Sequence, residues 1–256
     1  GIPTAMALAE KKLKVLVLET LPSPGQQDNK KAIGGIRATH SDFGKIKVSM
    51  RSIEIFSTWK EKFGDDIGWL ANGYSYPAYT DEDEKKLKDL MKIQLSFGLN
   101  IRWVSPAEYN ELVPGINMEN LRGSTFSPED GSASPLLSTN AFYFKSLEYG
   151  AEYHFNEKVI ALKKDGNKIS EVVTNKGSYA ADTVVNAAGN YAREIGKLAG
   201  LDIPVFPDNH EAGITDPVAR FFEPMVVDMR KAPGSANYYF YQNSEGQVVF
   251  CITPEP

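Results

Sequence analysis

Two residues near the start of the chain have the types and the spacing of a nucleotide-binding site. The chain begins with Gly1 and a helix-like pattern up to Glu10, and an apolar run, Val15-Leu-Val-Leu18, then leads to Glu19. In a dinucleotide fingerprint the last glycine precedes a helix whose N-terminus binds pyrophosphate, and an acid about 20 residues later binds a ribose. Gly1 fits that glycine and Glu19 fits that acid. The alternative is an ordinary helix and strand, because the earlier glycines of the fingerprint are not in the sequence.

Two further segments extend this pattern over nearly the whole chain. The first is Gly34-Gly-Ile-Arg37 followed by Arg51-Ser-Ile-Glu-Ile-Phe56, and the second, more specific one is Ala181-Asp-Thr-Val-Val-Asn-Ala-Ala-Gly-Asn-Tyr-Ala192. In order and spacing they are similar to the D-amino-acid-oxidase-like superfamily of FAD-dependent oxidoreductases. Within it, the chain most resembles sarcosine oxidase beta subunits, glycine oxidases and dye-linked proline dehydrogenases.

The resemblance implies FAD as the cofactor. The glycine pair Gly34 and Gly35 would let main chain approach the flat isoalloxazine ring, and the main chain of Val159 would meet the adenine. The small residues 187–189 would let the backbone pass close to the cofactor. The alternatives are a permissive surface loop for the glycine pair and tight helix–strand packing for the small residues. The implied cofactor residues are Gly1, Glu19, Gly34, Gly35, Val159, Ala187, Ala188 and Gly189.

The resemblance also implies a small amino acid or secondary amine of the sarcosine, glycine or proline type as substrate, oxidised at its C–N bond by hydride transfer to the flavin. Arg37 would hold the substrate carboxylate, because an arginine fork binds a carboxylate through two parallel hydrogen bonds. Tyr239 would orient the substrate, and His210 would shape the amine pocket. The alternatives are a surface arginine or a partner of Asp42 for Arg37, and plain sheet residues for the other two.

Other functions remain open at this point. The cofactor segments are shared with flavoenzymes that act on hydroxy acids or glycerol 3-phosphate, and a non-catalytic subunit could keep the fold without flavin. The chain starts inside the fingerprint and stops at Thr253-Pro-Glu-Pro256, before further strands and a glycine-rich loop that the resemblance implies. We therefore expect an incomplete polypeptide that binds FAD weakly or not at all, whereas its parent is a flavoenzyme.

The elements that must position these residues predict an α/β fold. One long amphipathic helix is expected from Asp42 to Phe63, and turn signals between residues 158 and 180 predict a β-meander. The run from Thr183 to Gly189 is expected to be a buried parallel strand. The predicted architecture is a Rossmann-like FAD/NAD(P)-binding parallel sheet with a β-meander, plus an α+β substrate domain with a mixed or antiparallel sheet.

The order of these elements predicts two discontinuous domains. The FAD-binding domain would comprise residues 1–70 and 146–200, and the substrate domain residues 71–145 and 201–256. In the substrate domain, the two-residue period of a strand places Tyr239 and Tyr241 on one face and Tyr238 and Phe240 on the other.

Composition excludes several classes of partner. The 256 residues carry a net charge of −5 and their lysines are spread along the chain, which argues against nucleic acid and against a membrane-surface helix. No apolar run reaches the ~20 residues that span a bilayer, and the acids at 81–84 suit a helix start better than a metal site. A single cysteine, Cys251, fits a reducing compartment, although it is also compatible with secretion. We expect a soluble, cytoplasmic protein whose open sheet edges associate with a second subunit or a second copy.

Overall fold

The chain forms two compact units. A computed structural model describes residues 1–254, so the last two residues of the predicted chain end, Glu255 and Pro256, lie outside it. The first unit consists of Gly1–Lys31 and Ser138–Asp208, and the second of Ala32–Leu137 and the chain from Asn209 onward. The predicted FAD-binding domain extended to residue 70, whereas residues 32–70 belong to the second unit. The reason is burial: Ala38 and Ile46 lie in one apolar cluster with Leu99 and Ile101.

Helices and strands follow one another along the described residues. The helices are α1 (Ile2–Glu10), α2 (Phe43–Ser57), α3 (Trp59–Phe63), α4 (Asp81–Ser96), α5 (Pro106–Leu112), α6 (Pro135–Glu148) and α7 (Ala192–Leu198). The strands are β1 (Leu16–Leu18), β2 (Gly35–Ile36), β3 (Tyr74–Ala78), β4 (Arg102–Val104), β5 (Gly123–Ser127), β6 (Gly131–Ser132), β7 (Glu152–His154), β8 (Val159–Asp165), β9 (Lys168–Thr174), β10 (Ser178–Ala180), β11 (Glu211–Ile214), β12 (Met225–Asp228), β13 (Asn237–Gln242) and β14 (Val248–Thr253). The helix and strand expected at the start of the chain are confirmed by α1 and β1.

The first unit combines a parallel strand pair with a β-meander. Strands β1 and β7 run parallel, with Val17 opposite Tyr153, and the small residues Ala5 and Ala9 let α1 pack closely against Ala151. Strands β8, β9 and β10 form the antiparallel meander. These features confirm the predicted Rossmann-like sheet with a β-meander.

The predicted buried strand from Thr183 to Gly189 is wrong. These residues form no strand, and most of them are exposed. A central strand needs a neighbouring strand to accept its backbone hydrogen bonds, and within residues 1–254 the parallel sheet consists of β1 and β7. The apolar residues Val184 and Val185 carry β propensity, but propensity is overridden where no ladder is available.

The second unit is built on a mixed sheet of seven strands. Their order is β11-β14-β13-β12-β3-β5-β4, and β12 pairs in parallel with β3 while the other neighbours are antiparallel. The predicted mixed sheet is confirmed, although the sequence pattern did not indicate β12. A short antiparallel pair, β2 with β6, carries the glycine pair.

The helix predicted from Asp42 to Phe63 is interrupted. Asp42 caps α2 by accepting the Lys45 N–H at 2.8 Å, but α2 ends at Ser57 and α3 begins at Trp59. Between them the Thr58 hydroxyl donates to the Glu54 carbonyl at 2.7 Å, a local bond that often bends helices. Trp59, the first residue of α3, is fully buried. The segment after the break therefore places this ring in the core.

Candidate active site

Two of the predicted cofactor segments in the first unit are neighbours. A Cβ built on Gly1, the residue that precedes α1, would lie 3.5 Å from the Cβ of Ala187. Ala188 is half-buried, and Gly189 adopts a left-handed backbone with φ of 54°. The structure therefore brings the start of α1 next to residues 187–189. Ala187 and Ala188 lie in a loop rather than at a strand end, and Gly189 begins a 3₁₀ helix (Gly189–Tyr191).

Glu19 lies directly after β1, at the carboxyl end of the parallel strand pair. Its N–H donates to the His154 carbonyl at 2.9 Å and its own carbonyl accepts the Glu157 N–H at 2.9 Å. One side-chain oxygen accepts the Leu21 N–H at 2.8 Å. The carboxylate is half-buried, and the bond from Leu21 fixes its orientation. It lies at the carboxyl edge of the sheet, where α/β proteins bind their ligands.

Glu157, which the sequence analysis did not single out, is a buried carboxylate beside Glu19. Its Oε1 accepts the hydroxyls of Thr174 at 2.6 Å and of Tyr179 at 2.7 Å, and its Oε2 lies 3.2 Å from Nδ1 of His154. We call Glu157, His154, Thr174 and Tyr179 the Glu157 cluster. The hydrogen bonds from Thr174 and Tyr179 favour the charged form and hold the pKa of Glu157 below its ordinary value.

The Glu157 cluster joins β7, β9 and β10 next to two predicted cofactor residues. Val159, the first residue of β8, is half-buried and lies opposite Thr174 in the ladder. Glu19 is bonded to the main chain of both His154 and Glu157. The positions of Glu19 and Val159 therefore depend on the hydrogen bonds within the Glu157 cluster.

Four tyrosines line one face of the sheet in the second unit. Tyr74 and Tyr76 are two residues apart on β3, and Tyr239 and Tyr241 are two residues apart on β13, so each pair lies on one side of its strand. Strand β12 lies between β3 and β13. All four belong to one apolar cluster, whereas Phe240 packs into the cluster on the opposite side of the sheet. The predicted alternation of β13 is confirmed. We call Tyr74, Tyr76, Tyr239 and Tyr241 the tyrosine face.

Burial raises the pKa of every hydroxyl on the tyrosine face. It is raised to about 12 for Tyr241 and raised for Tyr74. For Tyr76 the nearby Arg37 partly offsets the effect of burial on the pKa, and for Tyr239 contact with Cys251 adds to the rise in pKa. All four hydroxyls are therefore protonated at neutral pH, as ordinary tyrosines are, and that of Tyr241 donates to the Ile33 carbonyl.

The predicted glycine pair lies against the tyrosine face. A Cβ on Gly35 would fall 2.0 Å from the Tyr74 hydroxyl, and a Cβ on Gly34, where φ is 85°, would fall 2.2 Å from the Ala133 carbonyl. The Tyr241 hydroxyl donates to the carbonyl of Ile33, just before the pair. Gly34 and Gly35 are thus required by close packing on one side, while Gly35 remains exposed on the other.

Arg37 directly follows β2 and lies beside the tyrosine face. Its Nη1 donates to the Thr39 carbonyl, and its guanidinium carbon lies 5.9 Å from the ring centroid of Tyr76. In the described part of the chain Arg37 forms no ion pair. Asp42, its alternative partner in the sequence analysis, caps α2 instead.

Asp130 lies behind the backbone that follows Arg37. Its carboxylate is 1% exposed and accepts the Ala38 N–H and the Thr39 hydroxyl, each at 2.9 Å. Burial raises the pKa of Asp130 to about 6, although the hydrogen bonds from Ala38 and Thr39 and the nearby Arg37 act in the other direction. Asp130 lies in the segment Asp130-Gly-Ser-Ala-Ser-Pro135, whose residue types by themselves indicate only a turn before a helix.

The other two predicted substrate residues have different surroundings. Tyr239 is half-buried on β13, opposite Cys251 of β14, and shares the tyrosine face with Tyr76, the ring beside Arg37. His210 is exposed and directly precedes β11. The structure thus brings Arg37 and Tyr239 to one cluster and leaves His210 in the solvent-exposed segment before β11.

The first unit has a parallel strand pair that ends in an oriented acid, a feature of nucleotide-binding α/β domains. The second unit has a mixed sheet with four tyrosines on one face, next to Arg37. The model of the DAO family, described as FAD dependent oxidoreductase, matches residues 1–256. The chain therefore belongs to this family, which confirms the resemblance seen in the sequence and, at the level of the family, FAD as the cofactor.

Individual relatives cover the chain almost completely. It is 27% identical over 248 residues to rat (Rattus norvegicus) mitochondrial dimethylglycine dehydrogenase, a match that spans 96% of the chain and 29% of the rat protein. Among solved structures, L-proline dehydrogenase from P. horikoshii superposes with a TM-score of 0.89 at 29% identity, covering 99% of the chain and 68% of that protein. Glycine oxidase from Geobacillus kaustophilus shares the fold, with a TM-score of 0.84 at 21% identity, over 100% of the chain and 69% of that protein. The chain thus spans less than a third of the length of the first of these relatives.

In the described residues no helix is both long enough and apolar enough to cross a membrane.

Proposed function

We propose that this chain is the FAD-binding and substrate-binding part of an enzyme that oxidises the C–N bond of a small amino acid or secondary amine of the sarcosine, glycine or proline type. The observation that carries the proposal is Arg37: its guanidinium stands beside the tyrosine face without a carboxylate partner in the described chain. A fork with five N–H donors matches a substrate carboxylate. The names of the relatives, which include dimethylglycine and proline dehydrogenases, support this substrate class.

The residues present fit the cofactor in each unit separately. In the first unit, Glu19 offers an oriented carboxylate to the ribose, Val159 offers main chain to the adenine, and Gly1 with residues 187–189 offers backbone without bulky side chains. In the second unit, Gly34 and Gly35 offer a flat surface for an aromatic ring, because Gly35 has no side chain and is exposed on the side away from Tyr74. When bound, FAD supplies the hydride acceptor.

The roles of the protein side chains follow from their positions. Arg37 holds the carboxylate and thereby fixes the carbon whose hydride is removed. The Tyr239 hydroxyl, which is protonated at neutral pH, donates a hydrogen bond that orients the substrate. The apolar surface of the tyrosine face limits water around the amine, which favours the neutral amine required for hydride removal. His210 stays in the proposal as a residue of the exposed segment before β11 that would approach the amine.

Two further features belong to this proposal. Sarcosine oxidase subunit beta from Arthrobacter, 25% identical over 204 residues, is by its name part of a larger assembly, which supports a second subunit for this chain. The single Cys251 supports a reducing compartment, the cytoplasm.

The test is anaerobic reduction of the FAD-loaded protein by candidate substrates, measured as the loss of visible flavin absorption. Sarcosine, proline and dimethylglycine should bleach the flavin, and glycerol 3-phosphate should not. Arg37→Lys keeps the charge but loses the fork, so it should raise the half-saturating amine concentration about tenfold. Arg51→Lys, which affects an exposed arginine paired with Glu54, should leave it unchanged. Bleaching by glycerol 3-phosphate alone, or equal behaviour of the two variants, would overturn the proposal.

A further inference from the structure

We infer that Asp130 is a positioning residue, which orients the Arg37 fork toward the carboxylate of the substrate without touching the substrate itself. This inference rests on the proposed function, because it needs Arg37 to bind that carboxylate. Nothing in the sequence pattern links the two residues, which are far apart in the chain and meet only in the folded second unit.

The first step is the wrapping of residues 37–39 around the Asp130 carboxylate. One carboxylate oxygen accepts the Ala38 N–H and the other accepts the Thr39 hydroxyl, each at 2.9 Å. Both oxygens are therefore used by the two residues that follow Arg37. The carboxylate is 1% exposed, so water cannot readily replace either bond.

The second step is the position of Thr39, which connects Asp130 to the guanidinium. The Thr39 hydroxyl donates a hydrogen bond to Asp130, and the Thr39 carbonyl accepts a hydrogen bond from Nη1 of Arg37. A free arginine side chain has several rotamers, and ordering it costs conformational entropy. By fixing Thr39, the carboxylate fixes one end of the fork before any ligand arrives.

The third step is the register of the short ladder that carries both residues. Arg37 directly follows β2, Asp130 directly precedes β6, and Ile36 pairs with Gly131 between them. A Cβ on Gly131 would fall 1.9 Å from the Leu70 carbonyl. The ladder is therefore packed closely against the backbone at Leu70, which disfavours a shift in its register. Asp130 and the loop after Arg37 thus remain opposite one another.

The fourth step is what Asp130 does not do. It forms no ion pair with Arg37 within 4 Å in the described chain, so it leaves the fork open to an external carboxylate. Burying this carboxylate costs stability, since the protein must desolvate it. A cost of this kind, combined with a bond chain that ends on Arg37, indicates orientation rather than stabilisation.

The experiment combines ligand titrations with a double-mutant cycle on FAD-loaded protein. The probes are sarcosine and proline, each compared with the same amine lacking its carboxylate, dimethylamine and pyrrolidine. Asp130→Ala should weaken sarcosine or proline binding about tenfold and change the binding of the carboxylate-free amines less than twofold. In the Arg37→Ala background the same substitution should have no further effect, because the group it positions is gone. Val104→Ala, which truncates a buried residue of the same unit away from Arg37, is the control for lost stability.

A second variant covers the case in which Asp130→Ala does not fold. Thr39→Val keeps the shape of Thr39 and removes only the hydroxyl that bonds Asp130, and it should reproduce most of the loss. The nitrogen NMR signal of the Arg37 side chain provides a readout without ligand, and it should broaden or shift in both variants but not in Val104→Ala.

The outcomes separate the two hypotheses. If Arg37→Ala leaves sarcosine and proline binding unchanged, the proposed function is wrong at this residue. If Arg37→Ala weakens binding but Asp130→Ala and Thr39→Val do not, only the positioning role of Asp130 is overturned. A loss that persists in the Arg37→Ala background would also overturn it, since that loss would arise from general damage to the unit.

Discussion

The Tyr74 hydroxyl lies so close to Gly35 that a Cβ at this glycine would fall 2.0 Å from the oxygen and 2.9 Å from the terminal methyl of Met225. Both partners are buried, Tyr74 at 5% and Met225 at 2% exposure, so neither can move aside easily. The glycine is therefore required by the protein's own packing, whether or not a flat ring lies on its outer side.

This relationship predicts that Gly35→Ala lowers the free energy of unfolding by about 1–3 kcal/mol, the usual cost of overpacking a core. Chemical denaturation measures the loss. Tyr74→Phe should recover part of it, because it removes the closest atom. Gly177→Ala is the control, since a Cβ there meets nothing within 4 Å; an equal loss in both variants would contradict the steric explanation.

The raised pKa of Asp130 predicts a pH dependence of stability. Because the folded state holds this proton more tightly than the unfolded chain, its contribution is largest below the ordinary pKa of 3.8 and is lost as the pH rises toward the folded value of about 6. The difference in unfolding free energy between wild type and Asp130→Asn should therefore fall by about 2–3 kcal/mol between pH 4 and pH 7. Urea titrations at several pH values measure it.

Asp66→Asn provides the comparison for that experiment. The pKa of this exposed carboxyl is lowered by Lys60 and by the Gly68 N–H, so its small contribution should change with pH in the opposite direction. A wild-type minus Asp130→Asn difference that is flat with pH would mean that Asp130 is not buried as a proton-binding group.

The Glu157 cluster predicts the opposite pH dependence in the first unit. Hydrogen bonds from Thr174 and Tyr179 lower the pKa of Glu157, so its contribution is present above the ordinary value of 4.5 and is lost as the pH falls through the lower folded value. Glu157→Gln should lower the Tm by about 2–4 °C at pH 7, with a smaller difference below pH 4. Glu152→Gln, which affects the exposed carboxylate on the other side of His154, should have little effect. A difference that grows on acidification would contradict this assignment.

The position of Glu19 predicts a specific loss of cofactor affinity. Glu19→Ala should weaken FAD binding about tenfold or more, because a charge-assisted hydrogen bond to the ribose is lost, and Glu19→Gln should weaken it less. Quenching of flavin fluorescence during titration measures the affinity. Glu10→Ala, at the exposed end of α1, should bind FAD like the wild type. Unchanged affinity in Glu19→Ala would remove this residue from the site.

Local patterns in the sequence were sufficient for the parts of the fold that local physics decides. The helix and strand before Glu19, the turns of the meander and the alternation of Tyr239 and Phe240 follow from periodicity and turn residues, which act over a few positions. The segments around Gly34 and at 181–192 identified the family, because the resemblance depends on the order and spacing of their residues. Arg37, His210 and Tyr239 remain predictions, and their substitution will decide their roles.

The remaining features depended on contacts that no local pattern encodes. The run from Thr183 to Gly189 has the composition of a strand, yet a strand exists only where a neighbour accepts its hydrogen bonds. Asp130 lies in a segment with the residue types of a turn, and only the pairing of β2 with β6 places it next to the loop that follows Arg37. Glu157 carries no local signal, and it is buried by contacts with residues of three strands. The sequence by itself therefore determined the family, the cofactor and the local elements, whereas only the tertiary structure decided which buried carboxylates support them, since burial and long-range hydrogen bonds arise when distant segments meet.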